Sequence, residues 1–183
     1  MHDFYKKNRG LLWLVTVLIS VVLDQITKYL AVVFLKPIDT VPIIKNALHL
    51  TYVTNYGAAF GILSSHRWVF LIISTVAIVV LSVLLFQKKN GHPLLCLSMT
   101  FIIGGGIGNM IDRIMLGYVV DFIDFRLINF AVFNVADIFV CVGCALMFLW
   151  ILFVPEASDN KKTNENIDTT DSTSEENAHD TDS

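Results

Sequence analysis

Residues 94–113 read LLCLSMTFIIGGGIGNMIDR, and this stretch decides the fold class of the chain. Apart from its last two residues the stretch is uncharged, and it is long enough for an α-helix to cross a lipid bilayer. Asn109, Asp112 and Arg113 stand at its end. An ionisable group at membrane depth costs at least a few kcal/mol, so it normally faces a protein interior or a wet cavity. The stretch therefore predicts a transmembrane helix that ends in a polar site.

Three further apolar runs have the length of a transmembrane helix, so we predict four membrane crossings. The predicted spans cover residues 11–35, 69–86, 94–111 and 131–154. Lys and Arg are in modest excess on the side of the N-terminus, which predicts that both termini are cytoplasmic. The residues on that side are Lys6, Lys7, Arg9, Lys88, Lys89, Lys161 and Lys162, and those on the opposite side are Lys36, Lys45, Arg67, Arg113 and Arg126.

The composition indicates a membrane domain followed by a polar tail. Of 183 residues, 55% are hydrophobic, and the mean hydropathy is +0.64. Residues 1–154 hold 11 basic and 7 acidic side chains, whereas residues 155–183 hold 2 basic and 9 acidic ones. Such a tail cannot bury enough apolar surface to fold, so we predict a disordered acidic cytoplasmic tail after a transmembrane domain at 1–154. The basic residues form no continuous patch, which argues against a nucleic-acid partner.

Two longer connections lie on the side opposite the termini. The first contains residues 48–55, LHLTYVTN, whose β-branched and aromatic residues partly alternate and predict a short strand or hairpin. The second, residues 113–130, is expected to have irregular backbone that is covered by protein or lines a cavity. The predicted fold is thus an all-α membrane protein of four transmembrane helices with a small extracytoplasmic β-like segment.

Polar residues of independent spans fall at a common depth. Measured from the cytoplasmic ends of their spans, Asp24 lies at about 20 Å, Asn109 at about 22 Å, Asp137 at about 25 Å and Asp112 at about 27 Å. Because the hydrocarbon core is about 30 Å thick, all four reach its outer third. This convergence predicts one site near the outer leaflet.

Asp121 and Asp137 are the candidate catalytic pair of this site. Two carboxylates held close in a partly desolvated site cannot both ionise easily, so one keeps a proton while the other stays a base. Such a pair suits peptide hydrolysis, because the base takes a proton from water and the acid protonates the carbonyl oxygen or the leaving nitrogen. For either residue alone, a helix cap or a salt bridge is the simpler interpretation. Their occurrence with several other polar residues at membrane depth favours catalysis.

The neighbouring asparagines have a structural interpretation beside a functional one. Asn134 lies three residues before Asp137, and Asn109 has the same spacing from Asp112, so each pair shares a helix face. The amides could hold a substrate backbone or orient a carboxylate. They could equally join two helices by hydrogen bonds.

Two charged pairs could neutralise each other within the membrane. Asp24 and Lys28 are four residues apart on one helix face, a spacing that suits an ion pair at least as well as substrate binding. Asp112 and Arg113 could form an ion pair that fixes the exit of the third span. Alternatively, Arg113 could reach a lipid phosphate.

Other motifs favour packing over chemistry. Gly104 and Gly108 form a G-x-x-x-G pattern that predicts close helix packing. Cys141 and Cys144 are interpreted as packing residues, because no second Cys or His pair lies near them in the sequence to complete a metal site. The H-E-x-x-H signature of zinc proteases does not occur. We therefore predict neither a metal nor an organic cofactor.

Five blocks of the sequence resemble those of bacterial lipoprotein signal peptidase, the signal peptidase II family. They are Asp24-Gln25-x-x-Lys28, Asn55-Tyr56-Gly57-Ala58-Ala59-Phe60, Gly108-Asn109-x-x-Asp112-Arg113, Val120-Asp121-Phe122 and Phe133-Asn134-x-Ala136-Asp137. Singly the blocks are weak, but all five occur in the family's order, which makes the resemblance specific. The acidic tail is the part that the family pattern does not explain.

The resemblance implies a four-helix aspartyl endopeptidase of the bacterial inner membrane, with its active site toward the outer leaflet. It would remove the signal peptide from diacylglyceryl-modified prolipoproteins by cleaving before the lipid-bearing Cys. Its catalytic residues would be Asp121 and Asp137. The substrate-binding residues implied by the resemblance are Asp24, Lys28, Asn55, Gly57, Asn109, Asp112, Arg113, Asn134 and Ala136. We also expect contact with membrane lipids, inhibition by the cyclic peptide globomycin and a monomeric enzyme.

A small ion-coupled transporter or channel is the alternative function. The same Asp and Asn residues would then conduct protons or cations. Four spans without an internal repeat make this alternative less natural. The inner halves of two predicted helices, residues 11–20 and 140–153, are free of charge, which favours a site open to one side of the membrane.

Overall fold

The computed structural model describes residues 2–57, 67–88, 91–128 and 130–154. The compact unit that contains the site covers Met1–Trp150. The predicted disordered tail, 155–183, and the small residues that follow Gly57 lie outside the described residues.

Four long helices and a three-stranded sheet make up the described part of the chain. The helices are α1 (His2–Leu30, continued by a π-helical turn at Ala31–Leu35), α2 (Arg67–Lys88), α3 (Pro93–Met115) and α4 (Val135–Phe153). The strands are β1 (Thr40–Ile44), β2 (Leu48–Asn55) and β3 (Val119–Phe125), and a 3₁₀ turn (Arg126–Ile128) follows β3. All four helices are long and apolar enough to cross a membrane. The predicted architecture of four spans and a small β segment is confirmed.

The fourth helix begins at Val135, later than the predicted start at residue 131. The residues before it are extended, since Phe133 forms an antiparallel bridge with Ile123 of β3. Asn134 then caps the helix. Its side-chain oxygen accepts the N–H of Asp137 at 3.0 Å, while a carboxylate oxygen of Asp137 accepts the N–H of Asn134 at 3.2 Å. This reciprocal capping box places both polar residues at the helix start.

The three strands form an antiparallel sheet in the order β1-β2-β3. The β1–β2 hairpin, with Asn46 in the left-handed region at a φ of 62°, corresponds to the predicted strand or hairpin. The expectation of irregular backbone after α3 is wrong for Val119–Phe125, which pairs with β2 along its length. Pairing satisfies backbone groups that an irregular segment would leave exposed. Its register sets Asp121 opposite Val53.

Helix α3 packs closely against α1 and α4 through glycines. A Cβ atom at Gly104 would lie 2.7 Å from the Cβ of Ser20 in α1, and one at Gly108 would overlap the Asp24 carboxylate. A Cβ atom at Gly143 of α4 would lie 2.8 Å from the carbonyl oxygen of Ser98. The close packing predicted for the G-x-x-x-G pattern is confirmed, and it brings Asp24 against α3.

Candidate active site

Helix α1 supplies a buried ion pair to the site. Asp24 and Lys28 are only 0% and 3% exposed, and the Lys28 Nζ lies 2.9 Å from Asp24 Oδ2. The spacing of four residues on one helix face allows this contact, as the sequence predicts. Isolated charges at this depth would be very costly, so each needs a partner.

Lys28 also reaches across to α3. Its Nζ lies 3.1 Å from Asp112 Oδ2 and donates to Asn109 Oδ1 at 2.9 Å. Asp112 therefore pairs with Lys28, and not with its neighbour Arg113 as one of the sequence interpretations had it. The Arg113 guanidinium instead donates to the carbonyl oxygens of Asn109 and Gly57, both at 3.3 Å, and lies over the Phe70 ring.

Asp121 projects from β3 and is 2% exposed. Its Oδ2 accepts from the Asn55 amide at 2.9 Å, and its Oδ1 accepts from the Asn134 amide at 2.7 Å. Burial raises the pKa of Asp121 to about 6, and the nearby charge of Asp137 also raises it, against the lowering effect of the two amide hydrogen bonds. The carboxyl group is thus partly protonated close to neutral pH.

Asp137 lies in the first turn of α4, where its charge is favourable for the helix dipole. Asn109 of α3 donates its side-chain amide to Asp137 Oδ1 at 2.8 Å. The Asn134 amide donates to Asn109 Oδ1 at 3.0 Å as well as to Asp121. A continuous chain of hydrogen bonds therefore joins the two candidate catalytic carboxylates through two asparagines.

Both carboxylates face the same cavity of about 560 Å³. Its polar end is formed by Asn55, Gly57, Arg113, Asp121 and Asp137. The remaining wall is mostly apolar and is formed by Phe70, Phe130, Ala131, Val132, Phe133, Ile138, Cys141 and Val142. A mostly apolar cavity with a few convergent polar groups is the usual form of a ligand site.

The predicted site residues divide into two sets in the structure. Those that line the cavity are Asn55, Gly57, Arg113, Asp121 and Asp137. The others lie behind this set, within one hydrogen-bonded network, and they are Asp24, Lys28, Asn109, Asp112, Asn134 and Ala136. All eleven predicted residues thus belong to one region.

Two residues of the site, Gln25 and Phe70, were not predicted from the sequence. Gln25 joins α1 to α3 by donating to Asp112 Oδ1 at 3.1 Å, and its position as a polar residue within an apolar span is a signal that could have identified it. Phe70 lines the cavity and packs beneath Arg113, but nothing in the apolar sequence of α2 distinguishes it from its neighbours.

Among the described residues, no group of three or more His, Cys, Asp and Glu side chains is placed to hold a metal ion. Cys96 is buried, whereas Cys141 and Cys144 are exposed, and all three are free thiols. The absence of a cofactor stays a prediction.

Comparison with known proteins relates this geometry to a family. The model of the family described as Signal peptidase (SPase) II matches residues 16–153. The chain belongs to the signal peptidase II family. This membership confirms the resemblance on the five sequence blocks, and it makes the chain a peptidase of the hydrolase class.

Individual relatives agree with this membership. The lipoprotein signal peptidase of Halothermothrix orenii is 46% identical over 137 residues, which are 75% of this chain and 92% of the relative. That of Clostridioides difficile is 40% identical over 148 residues, which are 81% of this chain and 99% of the relative. Alignment thus extends over nearly the whole of both signal peptidases.

Two solved structures of bacterial membrane enzymes have the same fold. One, solved in meso at 2.3 Å, is 30% identical to this chain and superposes with a TM-score of 0.72. The match covers 81% of this chain and 90% of the chain of that enzyme. The other, solved in meso at 1.9 Å, is 30% identical with a TM-score of 0.70 and covers 78% and 94% respectively. With the four membrane-length helices, these neighbours identify this signal peptidase II family member as a multi-pass membrane protein.

Proposed function

We propose that this protein is an aspartic endopeptidase that removes the signal peptide from diacylglyceryl-modified prolipoproteins, cleaving before the lipid-bearing Cys. Asp121 and Asp137 are the catalytic residues in this proposal. The observation that supports it best is that both carboxylates, from separate elements, face one apolar cavity and are joined through asparagine amides.

The two carboxyl groups would share one proton in the resting enzyme. A water molecule between them gives a proton to the ionised carboxylate and attacks the carbonyl carbon of the scissile bond. The protonated carboxyl group first donates to the carbonyl oxygen. Collapse of the tetrahedral intermediate then transfers a proton to the leaving nitrogen and breaks the C–N bond. An Asp121 pKa of about 6 suits this role, because both protonation states are available near neutral pH.

The cavity fits the peptide part of such a substrate. Its mostly apolar wall suits apolar side chains of a peptide, while the acyl chains of the substrate remain in the bilayer. Arg113 has five N–H donors, and among the described residues it directs two of them to the carbonyl oxygens of Asn109 and Gly57. In our proposal the guanidinium also donates to the substrate backbone. Asn55 and Gly57 also line the cavity, and in our proposal they complete this contact.

The position of the sheet and the basic residues at the other end of the spans support the proposed orientation. In our proposal both termini are cytoplasmic in the bacterial inner membrane, and the sheet and the dyad face the outer leaflet. This arrangement lets a lipidated substrate enter laterally from the lipid. We further propose that the enzyme acts as a monomer and that globomycin occupies the cavity as a substrate mimic.

Cleavage of a purified diacylglyceryl-prolipoprotein in detergent tests the proposal. We expect Asp121→Asn and Asp137→Asn each to lower kcat by at least about a thousandfold, in line with the loss of an essential acid or base. The matched control is Asp124→Asn, on the same strand but bound to Arg126 and away from the cavity. Wild-type turnover in the double Asp121→Asn, Asp137→Asn variant would refute the dyad. A wild-type protein that does not cleave would favour the transporter alternative.

A further inference from the structure

Two buried acids bind the backbone immediately before each catalytic carboxylate. Asp112 Oδ2 accepts the N–H of Val120 at 3.0 Å, and Val120 directly precedes Asp121. Asp24 Oδ1 accepts the N–H of Ala136 at 2.9 Å, and Ala136 directly precedes Asp137. The relation is the same on both sides of the dyad, although one acid comes from α3 and the other from α1.

For Ala136, the regular secondary structure offers no partner for this N–H group. The residue lies in the first turn of α4, where backbone N–H groups have no carbonyl partner within the helix. Val120 is the corresponding case on β3, since its N–H points to the Asp112 carboxylate. A charge-assisted hydrogen bond to a buried carboxylate is stronger than one between neutral groups. The two acids therefore determine where these backbone segments lie.

One cation and one amide join the two acids to each other. The Lys28 Nζ lies 2.9 Å from Asp24 Oδ2 and 3.1 Å from Asp112 Oδ2. The Gln25 Nε2 donates to the same two carboxylates, at 3.2 Å to Asp24 and at 3.1 Å to Asp112. Lys28 uses its third donor on Asn109 Oδ1, so all its N–H groups have a protein partner.

None of these four side chains lines the cavity that contains the dyad. Asp24, Lys28 and Asp112 are each no more than 3% exposed. The substrate-binding role that the family resemblance implies for these three residues stays a prediction, and the structure adds hydrogen bonds from the backbone beside the dyad to Asp24 and Asp112. The two acids contact the dyad segments through the N–H groups of Val120 and Ala136. Lys28 adds a route through Asn109, which donates to Asp137.

We propose that Asp24 and Asp112, joined by Lys28 and Gln25, form one positioning network that sets the distance between Asp121 and Asp137. The four are positioning residues, and Gln25 is a new member of this set. The proposal rests on the proposed function insofar as the dyad is catalytic. Its physical consequence is that the two carboxylates can move apart when hydrogen bonds of the positioning network are removed. Their mutual repulsion then falls, which lowers the pKa of Asp121, because the nearby charge of Asp137 raises it.

Amide hydrogen exchange tests the positioning network without requiring that the protein cleaves a substrate. The variant Gln25→Met keeps the length of the side chain and removes both donors, and its matched control is Gln87→Met on the exposed face of α2. Deuterium uptake is measured by mass spectrometry with fragmentation that resolves Val120 and Ala136. We expect both amides to exchange at least tenfold faster in Gln25→Met and to be unchanged in Gln87→Met. Faster exchange at only one amide, or at neither, would overturn the proposal that the two acids act as one positioning network.

Lys28 gives a second and stronger perturbation. We expect Lys28→Met to accelerate exchange at the same two amides and Lys28→Arg to restore it in part, because Arg retains the positive charge and the donors. Lys88→Met, at the exposed end of α2, is the control. If Lys28→Met does not fold, Gln25→Met alone decides the question.

The pH dependence of cleavage separates positioning from a general loss of folded protein. We expect Gln25→Met to lower kcat about ten- to hundredfold with little change in KM, and to move to lower pH the limb of the kcat profile that Asp121 sets. A loss of folded protein would reduce the amplitude of the profile and leave this limb at the same pH, which would contradict the positioning network. If the wild type does not cleave, the proposed function fails, while the exchange experiment still decides whether the positioning network exists.

Discussion

The side-chain amide of Asn134 lies 2.7 Å from Oδ1 of Asp121, and this hydrogen bond connects the start of α4 to β3. The same Asn134 side chain caps α4 by accepting the N–H of Asp137. A single residue therefore fixes the helix that carries one candidate catalytic carboxylate and donates to the other. Its amide and carbonyl groups have separate tasks, which makes them separable by mutation.

Substitutions of Asn134 should separate stability from catalysis. Asn134→Ala removes the cap and the bond to Asp121, so we expect a loss of about 1–2 kcal/mol in stability and about a hundredfold lower kcat. Asn134→Ser keeps a capping oxygen and loses the amide donors. We expect it to recover most of the stability and little of the activity. Thermal unfolding in detergent and prolipoprotein cleavage measure the two effects, and full activity in Asn134→Ser would contradict the role of the amide.

The raised pKa of Asp121 predicts a specific dependence of stability on pH. The folded-state pKa is about 6, above the ordinary Asp value of 3.8, so the folded protein binds more protons than the unfolded protein between these values. The stabilising contribution of the protonated group is therefore complete below about pH 4 and is lost as pH rises through 6. We expect the wild type to lose stability relative to Asp121→Asn between pH 4 and pH 7. Parallel melting curves for the two proteins over this range would show that the shift is absent.

Two adjacent glycines of α3 should respond oppositely to alanine. A Cβ atom at Gly105 would overlap the backbone carbonyl of Ala136 and lie 2.8 Å from Val140 Cγ2. We expect Gly105→Ala to cost about 1–3 kcal/mol and to lower activity by displacing the start of α4. Among the described residues, a Cβ atom at Gly106 would meet the Cδ1 and Cγ1 atoms of Ile78, both at 3.3 Å.

For the control variant Gly106→Ala, we expect stability equal to the wild type or higher by up to about 1 kcal/mol, because Ala is the better helix former. Unfolding midpoints and cleavage rates of both variants check this pair. Equal effects at the two positions would contradict the inference that the close contact of Gly105 with α4 makes alanine destabilising at that position.

Cysteine labelling in intact cells checks the proposed orientation. In a chain whose native cysteines are replaced, Leu127→Cys lies on the sheet side and is 75% exposed in the structure, whereas Lys88→Cys lies at the opposite end of α2. We expect a membrane-impermeant maleimide to label the first in intact spheroplasts and the second only after permeabilisation. The reverse pattern would invert the topology and place the active site toward the cytoplasmic leaflet.

The sequence predicted the number and approximate position of the spans because membrane length and apolarity are local properties. It also predicted the Asp24–Lys28 pair and the glycine contacts, since both depend on helical spacing. Strand β3 was missed, although its residues, VVDFIDF, are typical of a strand. Two Asp residues interrupt the alternation there, and pairing with β2 is a long-range contact that local pattern does not reveal.

What the sequence determined by itself is the set of polar residues at membrane depth, and the five blocks that carry them. The cost of a polar group in lipid makes each such residue informative wherever it occurs. Only the tertiary structure decided which of them face the cavity and which lie behind it. That division depends on the packing of α1 and α4 on α3 and on the register of β3, which place Asp121 in the cavity wall and leave Asp24 and Asp112 buried.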